Sequence, residues 1–225
     1  MTYGIVISSY KYGHLASHAV ESVLAQTTPF DKIWFVDDAV GDCQHIEKIY
    51  GDRLQFIKNE SNLGIVDNFN KMLYQVDTDY IMFLGADNWL RPDTLYYLKS
   101  VFEKHSFVLS EGVSFKRDIS DVHIVTYDIM VTGELRQELY KFYSHSMTEK
   151  EGDLYWDRNG GHHGSMMYEV ELAKSVGGYA HNKTSNRTDE DMNLWNKMLT
   201  AGAKVKHVNQ SLLYYRRHKE NFNKY

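Results

Sequence analysis

The chain has 225 residues and carries 25 Lys and Arg against 30 Asp and Glu, a formal charge of −5. That length suits one large α/β domain better than two small ones, and the charge balance lacks the clustered basic excess that nucleic acid binding requires, so nucleic acid is excluded as the expected partner. Cys43 is the single cysteine, which excludes an internal disulfide and fits a reducing compartment.

In chain order, Ile5 to Ser9 reads as a first strand, because the apolar stretch is too short for a signal segment and is followed at once by polar residues. His14 to Gln26 has helical spacing. Ile33 to Val36, rich in β-branched and aromatic residues, predicts a buried second strand. Asp42 is expected to cap a helix running to about Tyr50. Leu54 to Ile57 predicts a third strand, Ile65 to Val76 a helix, and Tyr80 to Leu84, the strongest apolar run, the central strand. A helix is expected to begin near Pro92, since proline is tolerated in a first helical turn. From about Glu111 to Asn159 the rhythm gives way to mixed pieces rich in Tyr, Phe and His. Tyr168 to Val176 and Asp189 to Gly202 then read as helices, each ended by glycine, and Val205 to Val208 and Ser211 to Tyr215 as closing strands. Strand and helix alternate as crossover units would make them, so the expected architecture is α/β with a mixed, mostly parallel sheet flanked by helices. One domain over residues 1–225 is expected, with no apolar run approaching the ~20 residues of a membrane span.

In open α/β sheets ligands gather beyond the carboxyl ends of the strands. There this chain places Ser8, Ser9 and Tyr10 after strand one, Asp37 and Asp38 after strand two, Asn62 to Gly64 after strand three, and Gly85 to Asn88 after the central strand. Asp38 has two readings: it accepts a nucleobase N–H or closes its own turn. Asp87 follows an uninterrupted apolar strand, where a carboxylate is costly unless it meets a cation or several donors. Mg²⁺ or Mn²⁺, shared with substrate phosphates, would satisfy it. Asp189, Glu190 and Asp191 open a helix, where acids are favoured by the macrodipole and where one could also serve as a general base. Arg216, Arg217 and His218 read either as a solvated tail or as phosphate clamps with one metal nitrogen.

These segments, in this order, resemble family 2 of the inverting glycosyltransferases, which have the GT-A fold. The resemblance rests on Glu21 to Thr27, Val36 to Ala39, Asn62 to Gly64 with Asn68 and Asn70, Gly178-Tyr179, Glu190-Asp191 with Leu194-Trp195, and Tyr215 to His218. It implies a Rossmann-like nucleotide-binding part over about 1–110 and an acceptor-binding, catalytic part over about 111–225. It further implies that Ser8, Tyr10, Asp38, Asn68 and Asp87 meet the nucleotide, that Asp87 and His218 hold Mn²⁺ or Mg²⁺, and that Asp191 is the catalytic base. Arg216, Arg217, His163 and Glu190 would face phosphate or acceptor. The implied donor is a nucleoside diphosphate sugar, by default a UDP-sugar. The implied acceptor is a saccharide or lipid-linked saccharide, in cytoplasmic surface-polysaccharide or glycan synthesis, with the cytoplasmic membrane face as one site of action.

The chain departs from the family's paired-acid metal motif, since Ala86 and Asn88 flank a single Asp87. That departure keeps open a second reading, a nucleotide-sugar-binding module with impaired catalysis. His162 and His163 are adjacent, and neighbours on an extended segment point to opposite faces, so one histidine lining the acceptor pocket is expected rather than a joint metal site. A phosphoacceptor domain would need its acids after strand one, where Ser8 and Ser9 stand. A nucleotidyltransferase would need a glycine-rich loop with a basic residue near the N-terminus, which this sequence lacks.

Overall fold

The computed structural model describes residues 1–106, 116–119, 121–156, 165–181 and 190–221. The first half alternates as β1 (Tyr3–Ser9), α1 (Gly13–Leu24), β2 (Lys32–Asp37), α2 (Gln44–Tyr50), β3 (Gln55–Lys58), α3 (Gly64–Gln75), β4 (Tyr80–Gly85), β5 (Trp89–Leu90) and α4 (Thr94–Phe102). The second half is β6 (Glu103–Ser106), β7 (Lys116–Ile119), β8 (Ile124–Thr132), α5 (Arg136–Tyr143), β9 (Met147–Lys150), β10 (Asp153–Trp156), β11 (Met166–Glu169), α6 (Val170–Ser175), α7 (Glu190–Thr200) and β12 (Val205–Arg216).

A ten-stranded mixed sheet runs β3-β2-β1-β4-β11-β8-β10-β9, and β12 pairs with both β8 and β5. The parallel character belongs to the β3-β2-β1-β4 half and to the β8–β12 pair; the other pairings are antiparallel. β8 organises the curl of the second half, pairing with β11 through its first residues and with β10 through its last. β6 and β7 form a separate hairpin-like pair.

Period-two alternation explains the layers. Ile5, Ile7, Phe35, Met82 and Leu84 face one core with α1, α2 and α4, through residues such as Ala16, Val20, Ile46, Leu95 and Leu98. Val6, Trp34, Val36 and Ile81 face the other, against Val66, Met72 and Leu73 of α3, Ala173 of α6, and Leu194, Trp195 and Met198 of α7. Burying each such large apolar side chain contributes about 1.5–3 kcal/mol. A strand covered on both faces leaves its polar residues only its ends, and so the chemistry collects there.

Three local expectations change. Tyr168 lies in β11, not in the helix that follows, because Met166 and Tyr168 pack on one core while Met167 packs on the other, a strand alternation fixed by pairing between β4 and β8. The two expected closing strands are one, β12, whose register shifts between Val208 and Ser211 and again before Leu213, so a bulge absorbs the polar Asn209-Gln210. Asp42 does not cap α2, whose N-cap is Cys43; its Oδ2 accepts the Gly13 N–H at the start of α1, 2.9 Å away. Among the described residues no helix is long and apolar enough to cross a membrane.

The end of β12 is tied to the end of β8: Arg217 N–H donates to Thr132 O (2.8 Å), and Arg217 O accepts from Leu135 N (3.1 Å). Gly133 makes this approach possible, with φ of +90° and a Cβ position only 2.4 Å from Arg217 O. We expect Gly133→Ala to destabilise the protein by about 1–3 kcal/mol from the backbone strain alone, read as a lower denaturation midpoint; an unchanged midpoint would contradict this packing.

Candidate active site

The carboxyl ends of β1, β2, β3 and β4 are held level by main-chain bonds that continue past the strands. Ala86 N–H donates to Ser8 O, Asp38 N–H to Ser9 O, and Asn59 N–H to Asp37 O, each at 2.9 Å. Ser8, Asp38, Asn59 and Asp87 therefore stand along one edge.

Three of these ends join in a buried polar network. Asn68, 2% exposed, donates from Nδ2 to Ser8 Oγ (3.0 Å) and accepts at Oδ1 from Asn59 Nδ2 (2.9 Å). Asn59 Nδ2 also donates to Asp38 Oδ1 (2.8 Å), and Lys71 Nζ donates to Asn59 Oδ1 (2.6 Å). Asp38, 3% exposed, further accepts from Leu63 N (3.0 Å, on Oδ1) and Gly64 N (3.2 Å, on Oδ2). A carboxylate offers about four acceptor sites, so most of the Asp38 capacity is spent pinning the turn that starts α3. Tyr10 is exposed beyond β1, with the Lys11 ammonium 4.9 Å from its ring centre. Asn59 has no place in the sequence-based set; its signal is a short amide directly after a strand, the same signal that marks Asp38.

Asp37 closes its own turn, accepting from Val40 N (3.1 Å) and Gly41 N (3.0 Å). With Asp42 and Cys43 it forms a group whose potential ligand atoms lie within 4.8 Å of one another. Those acids already serve main-chain donors, and Cys43 Sγ lies 3.3 Å from both Ser9 Oγ and Asp42 Oδ1. Burial, the largest effect, pushes the Cys43 thiol up to about 12. Asp37 and Asp42 spend their oxygens on main-chain donors and the thiol is buried and protonated, so here the cluster serves as a turn scaffold.

At the end of β4, Asp87 is 7% exposed. Its Oδ2 accepts from Asn221 Nδ2 at 3.0 Å and lies 3.3 Å from His218 Nε2. Its Oδ1 takes no hydrogen bond among the described residues. Gly85 leaves room for that oxygen: a Cβ there would fall 2.7 Å from it. Asn88, which follows Asp87, accepts the Arg216 N–H at 2.9 Å and so anchors the end of β12. The edge of Tyr12 packs on the His218 imidazole, with centroids 5.5 Å apart, and its hydroxyl donates to Glu220 O (2.9 Å).

These groups fit a hard divalent ion. Such ions commonly take one or two protein carboxylates and complete their shell with substrate phosphates and water. Asp87 and His218 would hold it, with Oδ1 as the oxygen that carries no donor.

The arginines are placed differently from the expectation of two phosphate clamps. The Arg216 guanidinium lies 4.9 Å over the Trp89 ring and 2.9 Å from His18 Nδ1, while His18 stacks on Trp89 at 4.5 Å. Partial burial and then the Arg216 charge hold His18 below its ordinary range, which suits it as an acceptor. Arg217 is buried at 6% exposure and anchors β12 to β8 through its main chain.

Glu190 is buried and Asp191 half-buried at the start of α7, where Asp191 Oδ1 accepts the Met192 N–H (2.8 Å). Tyr179 locates this helix start. Its hydroxyl lies 2.7 Å from that of Tyr168, and its ring packs edge-on against Phe83 of β4 (5.7 Å) and Phe69 of α3 (5.3 Å). Burial first, then Tyr168, then the charges of Asp191 and Glu190 raise its hydroxyl well above the ordinary range. Those charges act on the Tyr179 hydroxyl, so the acids at the start of α7 lie near that side chain. His163, expected at the acceptor, and Asp189 lie outside the described residues.

Comparison with known proteins agrees with this architecture. The sequence profile of Glycosyl transferase family 2 matches residues 4–177. An uncharacterized glycosyltransferase of Nostoc sp. is 30% identical over 133 residues, covering 57% of this chain and 40% of that protein. One of Haemophilus influenzae is 24% identical over 225 residues, covering 96% of this chain and 76% of its own. Among solved structures, S. aureus TarS 1–349 in complex with UDP-GlcNAc superposes with a TM-score of 0.69 at 15% identity, over 98% of this chain and 60% of that one. The Pyrobaculum calidifontis mannosyltransferase PcManGT, in complex with GDP-Man and Mn²⁺, gives 0.61 at 15% identity, over 98% and 58%. The chain thus spans less than half of the Nostoc relative and about three fifths of TarS 1–349.

The buried network and the buried thiol each generate a test. Asp38→Ala leaves the Leu63 N–H without its acceptor and takes one of two acceptors from Asn59 Nδ2 and from the Gly64 N–H, and an unsatisfied buried donor costs about 1–3 kcal/mol, so a drop in melting temperature is expected even without ligand. Cys43, fully buried and protonated at neutral pH, should resist alkylation by iodoacetamide in the native state and react once urea unfolds the chain. Rapid native-state labelling would contradict the placement.

Proposed function

The chain belongs to glycosyl transferase family 2, and from that premise we propose that it transfers a sugar from a nucleoside diphosphate donor to an acceptor hydroxyl in one inverting displacement. The observation that carries the reading is the Asp87–His218 pair: a buried carboxylate with one oxygen lacking a donor, beside an imidazole, at the strand ends where the Asp38 network also lies. A UDP-sugar is the proposed donor, supported by the UDP-GlcNAc complex of the TarS structure. A divalent ion, Mn²⁺ or Mg²⁺, is supported by the Mn²⁺ complex of the mannosyltransferase and by the ligand types of Asp87 and His218.

In this scheme residues of about 1–110 bind the donor, with Ser8, Tyr10, Asp38 and Asn68 around the nucleoside. Residues of about 111–225 bring the acceptor and Asp191. When bound, the ion neutralises charge on the diphosphate. Asp191 takes the proton of the acceptor hydroxyl as that oxygen attacks the anomeric carbon and the bond to the diphosphate breaks. No protein nucleophile intervenes, so inversion follows. Most of the acceleration then comes from orientation of the two reactants and from stabilisation of the leaving group. A saccharide or lipid-linked saccharide is the proposed acceptor class, His163 and Glu190 its proposed neighbours, and cytoplasmic polysaccharide or glycan synthesis the proposed setting. The phosphate role proposed for Arg216 and Arg217 would require Arg216 to leave the Trp89 stack.

A second reading has one specific observation in its favour. The neighbours of Asp87 are Ala86, whose side chain offers no ligand atom, and Asn88, whose Oδ1 accepts the Arg216 N–H, so Asp87 stands without an acidic neighbour, as in a module that binds a sugar nucleotide without turning it over. Release of UDP from UDP-sugar in the presence of Mn²⁺, with no acceptor added, separates the two: a pure binder releases none.

General-base assistance is typically worth ~10²–10⁴-fold. Asp191→Asn is therefore expected to lower transfer by that factor while donor affinity, measured by calorimetry, stays near wild type; an equal loss in both would remove Asp191 from the role. Asp87→Asn should abolish the extra thermal stabilisation that Mn²⁺ adds to UDP, since a ligand bound to the folded state raises its melting temperature.

A further inference from the structure

We propose that Asn221 is a positioning residue that presents Asp87 to the cation and donor diphosphate. The inference rests on the donor and metal reading above and extends it to a residue outside the strand-end set.

Asn221 is a neutral amide at 4% exposure, and its donors and acceptor are committed. Nδ2 donates to Asp87 Oδ2 (3.0 Å) and to Arg216 O (3.2 Å), while Oδ1 accepts the His218 N–H (2.6 Å). Its own N–H donates to His218 O at 3.2 Å. Only one orientation of the amide satisfies this set, because a main-chain N–H faces one end while a carboxylate and a carbonyl face the other. One side chain therefore fixes both members of the pair: it closes the turn that carries His218, and it holds Asp87 by Oδ2. The consequence is selective. With Oδ2 bonded to Asn221, Oδ1 is the oxygen left for a ligand.

A merely structural amide would act on the turn alone, whereas a positioning amide acts on the carboxylate as well. Asn221→Ser separates these roles, since a serine hydroxyl can still accept the His218 N–H in a local turn but is too short to reach Asp87. The experiment titrates UDP into wild type, Asn221→Ser and Asn221→Ala with and without Mn²⁺, and records melting temperatures. Loss of a hydrogen bond to a charged group predicts about tenfold or greater weakening of the Mn²⁺-dependent UDP affinity. For Asn221→Ser, metal-free UDP affinity and melting temperature should stay near wild type. Wild-type Mn²⁺ dependence in both variants overturns the inference. So does an Asn221→Ser protein that fails to fold or loses metal-free binding in the same proportion, because the amide then serves only the turn. A wild-type protein that binds UDP neither with nor without Mn²⁺ overturns the donor reading and this inference together.

Discussion

Asp87 ends a strand whose other residues are almost wholly apolar, and at 7% exposure it has little water to solvate its charge. An ionised carboxylate in that position is strongly disfavoured unless donors or a cation meet it. Among the described residues it is met by Asn221 Nδ2, which donates, and by His218 Nε2, 134 and 131 residues further along the chain. The second half of the fold delivers them. β12 runs parallel to β8 as far as Thr132, pairs with β5 beside the β4 end, and is fastened there by the Asn88–Arg216 bond. The sheet topology and the site are thus one constraint, since moving β12 in register would withdraw both partners from the acid.

Asp38 shows the contrasting solution to the same problem. It lies on the same edge and is as buried as Asp87, yet its donors come from the same half of the chain: Asn59, Leu63 N and Gly64 N occupy both of its oxygens. Hydrogen bonds to charged groups contribute about 1.5–3 kcal/mol each, so this acid is stable without any ligand. Among the described residues Asp87 has hydrogen-bond partners on one oxygen only. Counting donors per oxygen separates a hub that shapes the turn that starts α3 from a carboxylate with capacity left for a ligand, and exposure alone would rank them together.

The sequence discloses the acids because the rule that exposes them is simple: apolar strands buried on both faces push short polar residues to their ends. Ser8, Asp38 and Asp87 follow from it directly, as do most elements of the first half. The amides that hold those acids do not. Asn59 and Asn221 are neutral residues in turns, where asparagine is common for local reasons, and their importance lies in partners 21 and 134 positions away. The short strands β5 and β11 were equally hidden, since two or four residues carry no periodicity until neighbouring strands supply it. For Arg216 only the basic character is legible in the sequence; its contacts with Trp89 and His18 come from residues 127 and 198 positions away.

The relation between α7 and the donor side is set by main-chain anchors. Asn70 of α3 accepts the Tyr179 N–H (2.7 Å) and donates to Tyr179 O (3.0 Å). From α7, Asn193 donates to Ala180 O and Lys197 to Gly178 O. Three successive residues are therefore gripped from both helices through their backbones, which do not change rotamer. The Tyr179 ring completes the link by packing on Phe83 of β4. A displacement reaction gains most from reactants held within a narrow range of separation and angle. Were the base on α7 and the leaving group at the β4 end, as proposed, that demand would be met by holding helix and strand together, and the clamp at 178–180 ties them.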